Sequence, residues 1–343
     1  MTYPKPLSEK TINKMYAEAN LEGEKKEFLH RFFKAAANLY GSIMLQDIWY
    51  VYREYSKFAD TPTLHKKDFI AFSSIVRRAE VSYFVFEVNE IYCDDQPKDN
   101  ERFIVTKQMV GNGYGKFHAL WNLNDMQQEK PLYIPKDFLE YVELPVTKAQ
   151  KEMLDFLSNL KVTANEYTND FGKVYPCEHQ GQRLGEFDFL DSDERFEVKY
   201  IGGEIEGGPK GNAKKVAEYL EERKGPESDK LMRDFMWRTY SGWADPQMSM
   251  KFLFKELNEV GVQLTEKQLR KLIELINEVH NNTHVWVNRG WTPMELTQQY
   301  MRNHAGPQAI SFGPGIERAI SEGKMNREEL IKMFEAKGFK VVK

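Results

Sequence analysis

Cysteine is almost missing from this chain: Cys93 and Cys177 are the only two in 343 residues. Two thiols exclude a disulfide framework and a Cys-rich zinc site as the source of stability. Long apolar runs are missing as well, and none approaches the roughly 18 residues that cross a bilayer. The first thirty residues carry Lys5, Glu9, Lys10, Lys14, Glu18 and Glu22, too polar for the apolar core of a secretory leader. There is no excess of charge of one sign, since 48 basic and 52 acidic side chains leave a net charge of -4. A dedicated non-specific nucleic-acid binder carries a basic excess, so that class loses weight. A nucleophile elbow, triad spacing and a dinucleotide fingerprint are all lacking. These absences predict a cytoplasmic protein with no membrane partner.

What is present is enough apolar material for proper cores, at 41% hydrophobic and 13% aromatic residues. The length suggests two or three domains. From Glu24 to Tyr40, Phe28, Phe32, Ala35 or Ala36 and Leu39 recur at helical spacing, and Gly41 breaks the helix. A second helix from about Leu45 to Tyr55 carries Ile48, Val51 and Tyr52. A third, from about Lys66 to Arg78, carries Phe69, Phe72, Ile75 and Val76. The runs Tyr83–Val88 and Phe103–Val105 then read as strands flanking the polar turn Cys93–Asn100.

Three helices and a hairpin give the element order of a winged helix-turn-helix, predicted for residues 1–108. In DNA-binding versions the third helix enters the major groove, and Lys66, Lys67, Arg77 and Arg78 suit that role. Asp94, Asp95 and Asp99 at the hairpin tip do not suit phosphate. Residues 1–110 hold 16 basic and 16 acidic side chains, so the module as a whole has no net pull on a phosphate backbone. A scaffold or protein-docking module with the same shape is the competing reading.

Residues 109–146 read as a helical connector, and 147–208 as an α+β segment that opens on the capping box Thr147-Lys148-Ala149-Gln150. Gly202–Gly211, with five glycines and a proline, reads as a flexible boundary, and residues 209–343 as a helical C-terminal domain. Thr265–Gln268 is a second capping box, and Thr292-Pro293 signals another helix start. The fold class expected is thus α+β, predominantly helical.

One stretch comes near to specifying chemistry. Gly185–Leu190 and Arg195–Ile201 read as a β-hairpin across Asp191-Ser192-Asp193-Glu194. Side chains alternate along a strand, so burying Phe187, Phe189, Phe196, Val198 and Tyr200 leaves Asp188, Glu197 and Lys199 on one face. This resembles the PD-(D/E)xK nuclease core, in which an acid on one strand meets an E-x-K on the next. The resemblance implies that Asp188 and Glu197 hold Mg²⁺ or Mn²⁺ and that Lys199 orients the attacking water or offsets the developing charge. Phe187 stands where that family carries proline, and Glu152 or Glu166 would supply its flanking acid. An ordinary hairpin with cross-strand charge pairs is the plainer reading.

The segment Asn281–Leu296, ending in Asn288-Arg289-Gly290-Trp291-Thr292-Pro293-Met294-Glu295-Leu296, resembles a tail of uncharacterised bacterial proteins. Some of those carry the SEC-C zinc motif, whose cysteines are missing here, and a fainter likeness covers Leu39-Tyr40-Gly41. Trp286 and Trp291 are expected to pin a corner rather than stack on a base. Cys177 with His179, and His280 with His284, each supply only two potential metal ligands. Lys210, Lys214 and Lys215 fall in the glycine-rich loop, which lacks phosphate-loop spacing. The leading expectation is a non-enzymatic regulatory protein that binds nucleic acid or a protein partner and needs no cofactor; the alternative is a metal-dependent nuclease using Asp188, Glu197 and Lys199.

Overall fold

Helix α2 (Glu24–Tyr40) turns Phe28, Phe32, Ala36 and Leu39 inward at helical spacing, and all four are buried. It anchors the first core of a computed structural model that describes residues 3–92, 101–110, 117–128, 130–168, 172–177, 179–188, 225–241, 246–303, 308–310, 312, 314–335 and 339–341. Helix α1 (Glu9–Glu18) precedes α2 and starts at Ser8, whose side chain accepts from the Thr11 amide. After α2 come strand β1 (Ser42–Met44), helices α3 (Leu45–Tyr55) and α4 (Lys66–Val76), strand β2 (Tyr83–Glu87), the short helix α5 (Val88–Tyr92) and strand β3 (Arg102–Thr106).

The sheet is antiparallel in the order β1-β3-β2, with Ile43 opposite Ile104 and Val85 opposite the same residue on the other side. Alternation divides its side chains between two cores. Tyr83, Val85 and Ile104 join the helices α1 to α4, while Phe86, Phe103 and Val105 face Leu120 and Leu123 of α6 (His118–Gln127). All five residues of β3 are buried, because both faces of the sheet are covered. Segment 130–146 then runs back along α2 and includes a 3-10 stretch at Phe138–Val142, whose Phe138 ring meets Phe32 at 4.7 Å.

Helix α7 (Lys148–Ser158) opens on the capping box read from the sequence, with Thr147 and Gln150 each satisfying the other's backbone amide. It packs with α8 (Glu227–Ser241), α9 (Pro246–Glu259) and α10 (Glu266–Asn282) around Leu157, Phe235, Leu253, Leu272 and Ile276. The second capping box, Thr265 with Gln268, starts α10. A small hairpin of β4 (Glu166–Thr168) and β5 (Val174–Pro176) lies beside this bundle.

By compactness the chain divides into Met1–Pro293 and Met294–Lys343. The second unit holds most of α11 (Pro293–Asn303) and the helices α12 (Pro314–Ser321) and α13 (Arg327–Glu335). These two helices lie in sequence between β6 (Gln308–Ile310) and β7 (Phe339–Val341), which pair in parallel. Mostly helical with a small antiparallel sheet, the fold is α+β as expected. No helix among the described residues is long and apolar enough to cross a membrane.

The expected strand from Gly185 requires correction. Residues 184–187 form a turn and a bend instead. The Glu186 amide donates to the Arg183 carbonyl at 2.9 Å, and the Glu186 carboxylate accepts from the Arg183 amide at 2.9 Å. These local bonds outcompete an extended path. The rest of that hairpin, the Cys93–Asn100 turn and the Gly202–Gly211 loop lie outside the described residues.

Candidate functional site

Of the four basic residues assigned to α4, three are exposed and one is committed elsewhere. Lys66 and Lys67 stand exposed in the first turn, and Arg78 is exposed just past the last. The N-terminus of α4 is closed by a capping box in which the Asp68 carboxylate accepts from the His65 amide at 2.7 Å. That leaves His65, Lys66 and Lys67 together on the solvent side of the helix start.

Arg77 points the other way. Its guanidinium grips Glu90 of α5 through two bonds of 2.5 and 2.7 Å, donates to the Val85 carbonyl at 2.8 Å and lies over the Tyr3 ring. Bidentate pairing of this kind fixes both position and direction. Arg102 does the same from β3, donating to the Ser73 and Ser74 hydroxyls at 2.9 and 2.6 Å and to the Ile70 carbonyl at 3.2 Å. Two arginines therefore bolt α4 to the sheet, so this helix is held rigidly with its first turn outward.

The second feature is a buried clasp joining the two stretches singled out near Tyr40 and Trp286. Gly41 takes φ +69°, and a Cβ there would stand 2.6 Å from the Trp286 ring. The bare glycine opens a slot that Trp286 fills completely, with its indole Nε1 donating to the Asn38 carbonyl at 2.7 Å. Gln127 of α6 donates to both the Tyr40 and Trp286 carbonyls, at 2.7 and 2.8 Å.

Arg289, itself left-handed at φ +50°, reaches Asp47 in the first turn of α3 at 2.5 Å. Lys130 donates to the Val287 carbonyl at 2.8 Å, and burial lowers its pKa below the usual lysine range. The His284 Nδ1 lies 2.7 Å from the Gly290 carbonyl, and its ring stacks on Tyr133 at 4.7 Å. Trp291 donates to the Pro131 carbonyl at 3.1 Å. The expectation that Trp286 and Trp291 pin a corner holds. The sequence did not disclose its partners, because Asn38, Gly41, Asp47 and Gln127 are up to 248 residues away along the chain.

The chemical candidates fare differently. Asp188 is exposed, after a Phe187 ring that is buried against the bundle and stacked on His179 at 3.9 Å. Glu197 and Lys199, and with them the proposed metal site, lie outside the described residues, as do Lys210, Lys214 and Lys215. Glu152 pairs with Lys148 on the surface of α7 at 3.4 Å. His280 is buried against the Phe235 ring, whereas His284 sits in the clasp. Among the described residues no group of three or more His, Cys, Asp or Glu side chains converges on a point that could hold a metal.

Comparison of the chain with models of known families, with curated proteins and with solved structures gives no match.

Proposed function

We propose that this chain is a non-enzymatic regulatory protein that binds nucleic acid through a winged-helix-like module over residues 24–106. One observation carries the reading. The elements run helix, strand, helix, helix, strand, strand, with the short helix α5 inserted between the last two strands, and the strands order as β1-β3-β2, with the last strand in the middle. In winged-helix and related helix-turn-helix proteins, the helix equivalent to α4 enters the major groove by its N-terminal residues. His65, Lys66 and Lys67 occupy that end and are exposed.

Contact falls to α4 and its flanks rather than to the sheet, whose outer face lies under α6. With acidic and basic side chains balanced across the module, affinity depends on a few outward cations, so it weakens with salt by a modest slope set by their number. The test is a salt titration of duplex-oligonucleotide binding by the full chain and by a Lys66→Glu, Lys67→Glu, Arg78→Glu variant. Binding that weakens in the variant, with a shallower salt slope, supports the assignment. Equal binding by both, or binding by neither, removes α4 as a nucleic-acid reader and leaves a protein as its partner.

A further inference from the structure

On the face of the sheet covered by α6, that helix and the C-terminal end of α5 carry a solvent-facing patch of opposite chemistry. His118, Trp121 and Asp125 stand three and seven residues apart along one face of α6. The Trp121 indole donates to the Ile91 carbonyl at 3.0 Å, and Asn124 donates to the Tyr92 hydroxyl at 2.7 Å. Both rings are thus fixed from beneath, yet they remain 39% and 43% exposed. Fixed, half-exposed aromatic rings have already lost most of the side-chain entropy that binding would cost.

Among the described residues of α6 the charged side chain on this face is acidic. Asp125 is exposed one turn beyond Trp121, and its carboxylate accepts a long bond of 3.3 Å from Gln128. Burial first, and then the Asp125 charge, hold the Tyr92 hydroxyl above its usual range, with the Asn124 bond opposing them. Neither Val88–Tyr92 nor His118–Gln127 contains a lysine or an arginine.

We infer that this patch docks a basic segment of a protein partner, with an Arg or Lys side chain lying on the Trp121 and Tyr92 rings and Asp125 as its counter-charge. Guanidinium and ammonium groups are drawn to aromatic faces, and Trp is the best of these. A phosphate backbone would meet the Asp125 carboxylate with no cation on either helix to offset it. Because α6 covers the sheet face opposite the core that holds α4, both ligands could be held at once.

The test uses the full chain and a fluorescein-labelled Arg-Gly repeat peptide, with a Glu-Gly repeat and a single-stranded oligonucleotide as comparisons. The Arg peptide is expected to bind and the Glu peptide not to. Trp121→Leu should weaken binding roughly two- to fivefold, and Asp125→Lys, which replaces an exposed counter-charge by a like charge, by about three- to tenfold. Duplex-oligonucleotide binding should be the same in both variants, which separates this surface from α4. Equal binding of the two peptides, unchanged affinity in Asp125→Lys, or no binding by wild type at millimolar peptide overturns the inference. Single-strand binding lost in Trp121→Leu would make the patch a base-stacking surface instead.

Discussion

Single residues carry the tightest constraints in this fold, and Gly41 is the clearest. Any side chain there meets the Trp286 ring at 2.6 Å and must also adopt φ +69°. The left-handed backbone alone costs about 1–2 kcal/mol, and displacing a fully buried indole adds to it. Gly41→Ala should therefore lose more than about 2 kcal/mol in denaturant unfolding. Gly323→Ala, at φ +70° but with nothing within 4 Å of the new methyl, should lose only the backbone part. Equal losses at the two sites would mean that the slot tolerates the methyl. His30 sets a second constraint, of charge. Its ring lies 3.0 Å from the Tyr16 hydroxyl and 4.9 Å from Phe72, and burial, then Lys26, lower its pKa from the usual value near 6.5. The unfolded chain then takes up the proton first. His30 should hold its stabilising effect above about pH 6.5 and lose it as pH falls toward the depressed value. Melting curves of wild type and His30→Gln should diverge in that window, and parallel curves would exclude His30 as the titrating group. Neither constraint was legible in the sequence. Gly41 read only as a helix stop, and nothing local marks His30 as half-buried.

Elements were legible where local physics decides them. Helices α2 and α3 run as the apolar spacing predicts, and both Thr–Gln capping boxes start α7 and α10. Strand β1 was missed because three residues are too few to show alternation. Helix α1 was missed because only Ile12 and Tyr16 face inward along it. The turn at Gly185 defeated the strand reading through bonds between Arg183 and Glu186 that a pattern of alternating aromatics does not reveal. At α4 the sequence weighed Lys66, Lys67, Arg77 and Arg78 alike, while the structure gives them two different tasks. The Arg77 and Glu90 side chains are only 15% and 5% exposed. Removing one partner of a pair that buried strands the other, at about 3 kcal/mol. Arg77→Ala should therefore lower the melting temperature markedly, whereas Lys66→Glu with Lys67→Glu should change stability by less than about 0.5 kcal/mol. If Arg77→Ala melts like wild type, its bond to Glu90 contributes nothing to holding α4.

At the scale of the whole molecule, stability within Met1–Pro293 depends on contacts that no segment-by-segment reading contains. The sequence suggests breaks near 108, 146 and 208, where composition changes. The clasp crosses all three. Trp286 sits against α2 through Asn38 and Gly41, against α6 through Gln127, and stacks on Tyr240 of α8 at 5.4 Å. It is also a member of the same apolar cluster as Phe86, Phe103, Leu120 and Leu123. A fragment of residues 1–146 would lose this ring and leave that cluster open to water, with the Asn38 carbonyl deprived of its indole donor and Gln127 of its Trp286 acceptor. Removing a buried indole costs about 3–5 kcal/mol, a large share of the roughly 5–15 kcal/mol by which a domain is stable. A fragment of residues 1–293 keeps all three apolar clusters. The 1–293 fragment should therefore melt cooperatively with an intact near-ultraviolet tryptophan signal, and the 1–146 fragment should show a broad transition or none. Trp286→Ala in the longer fragment should reproduce much of the defect. A 1–146 fragment that melts as sharply as the longer one would show that the N-terminal module holds its own core and that the clasp only tethers it.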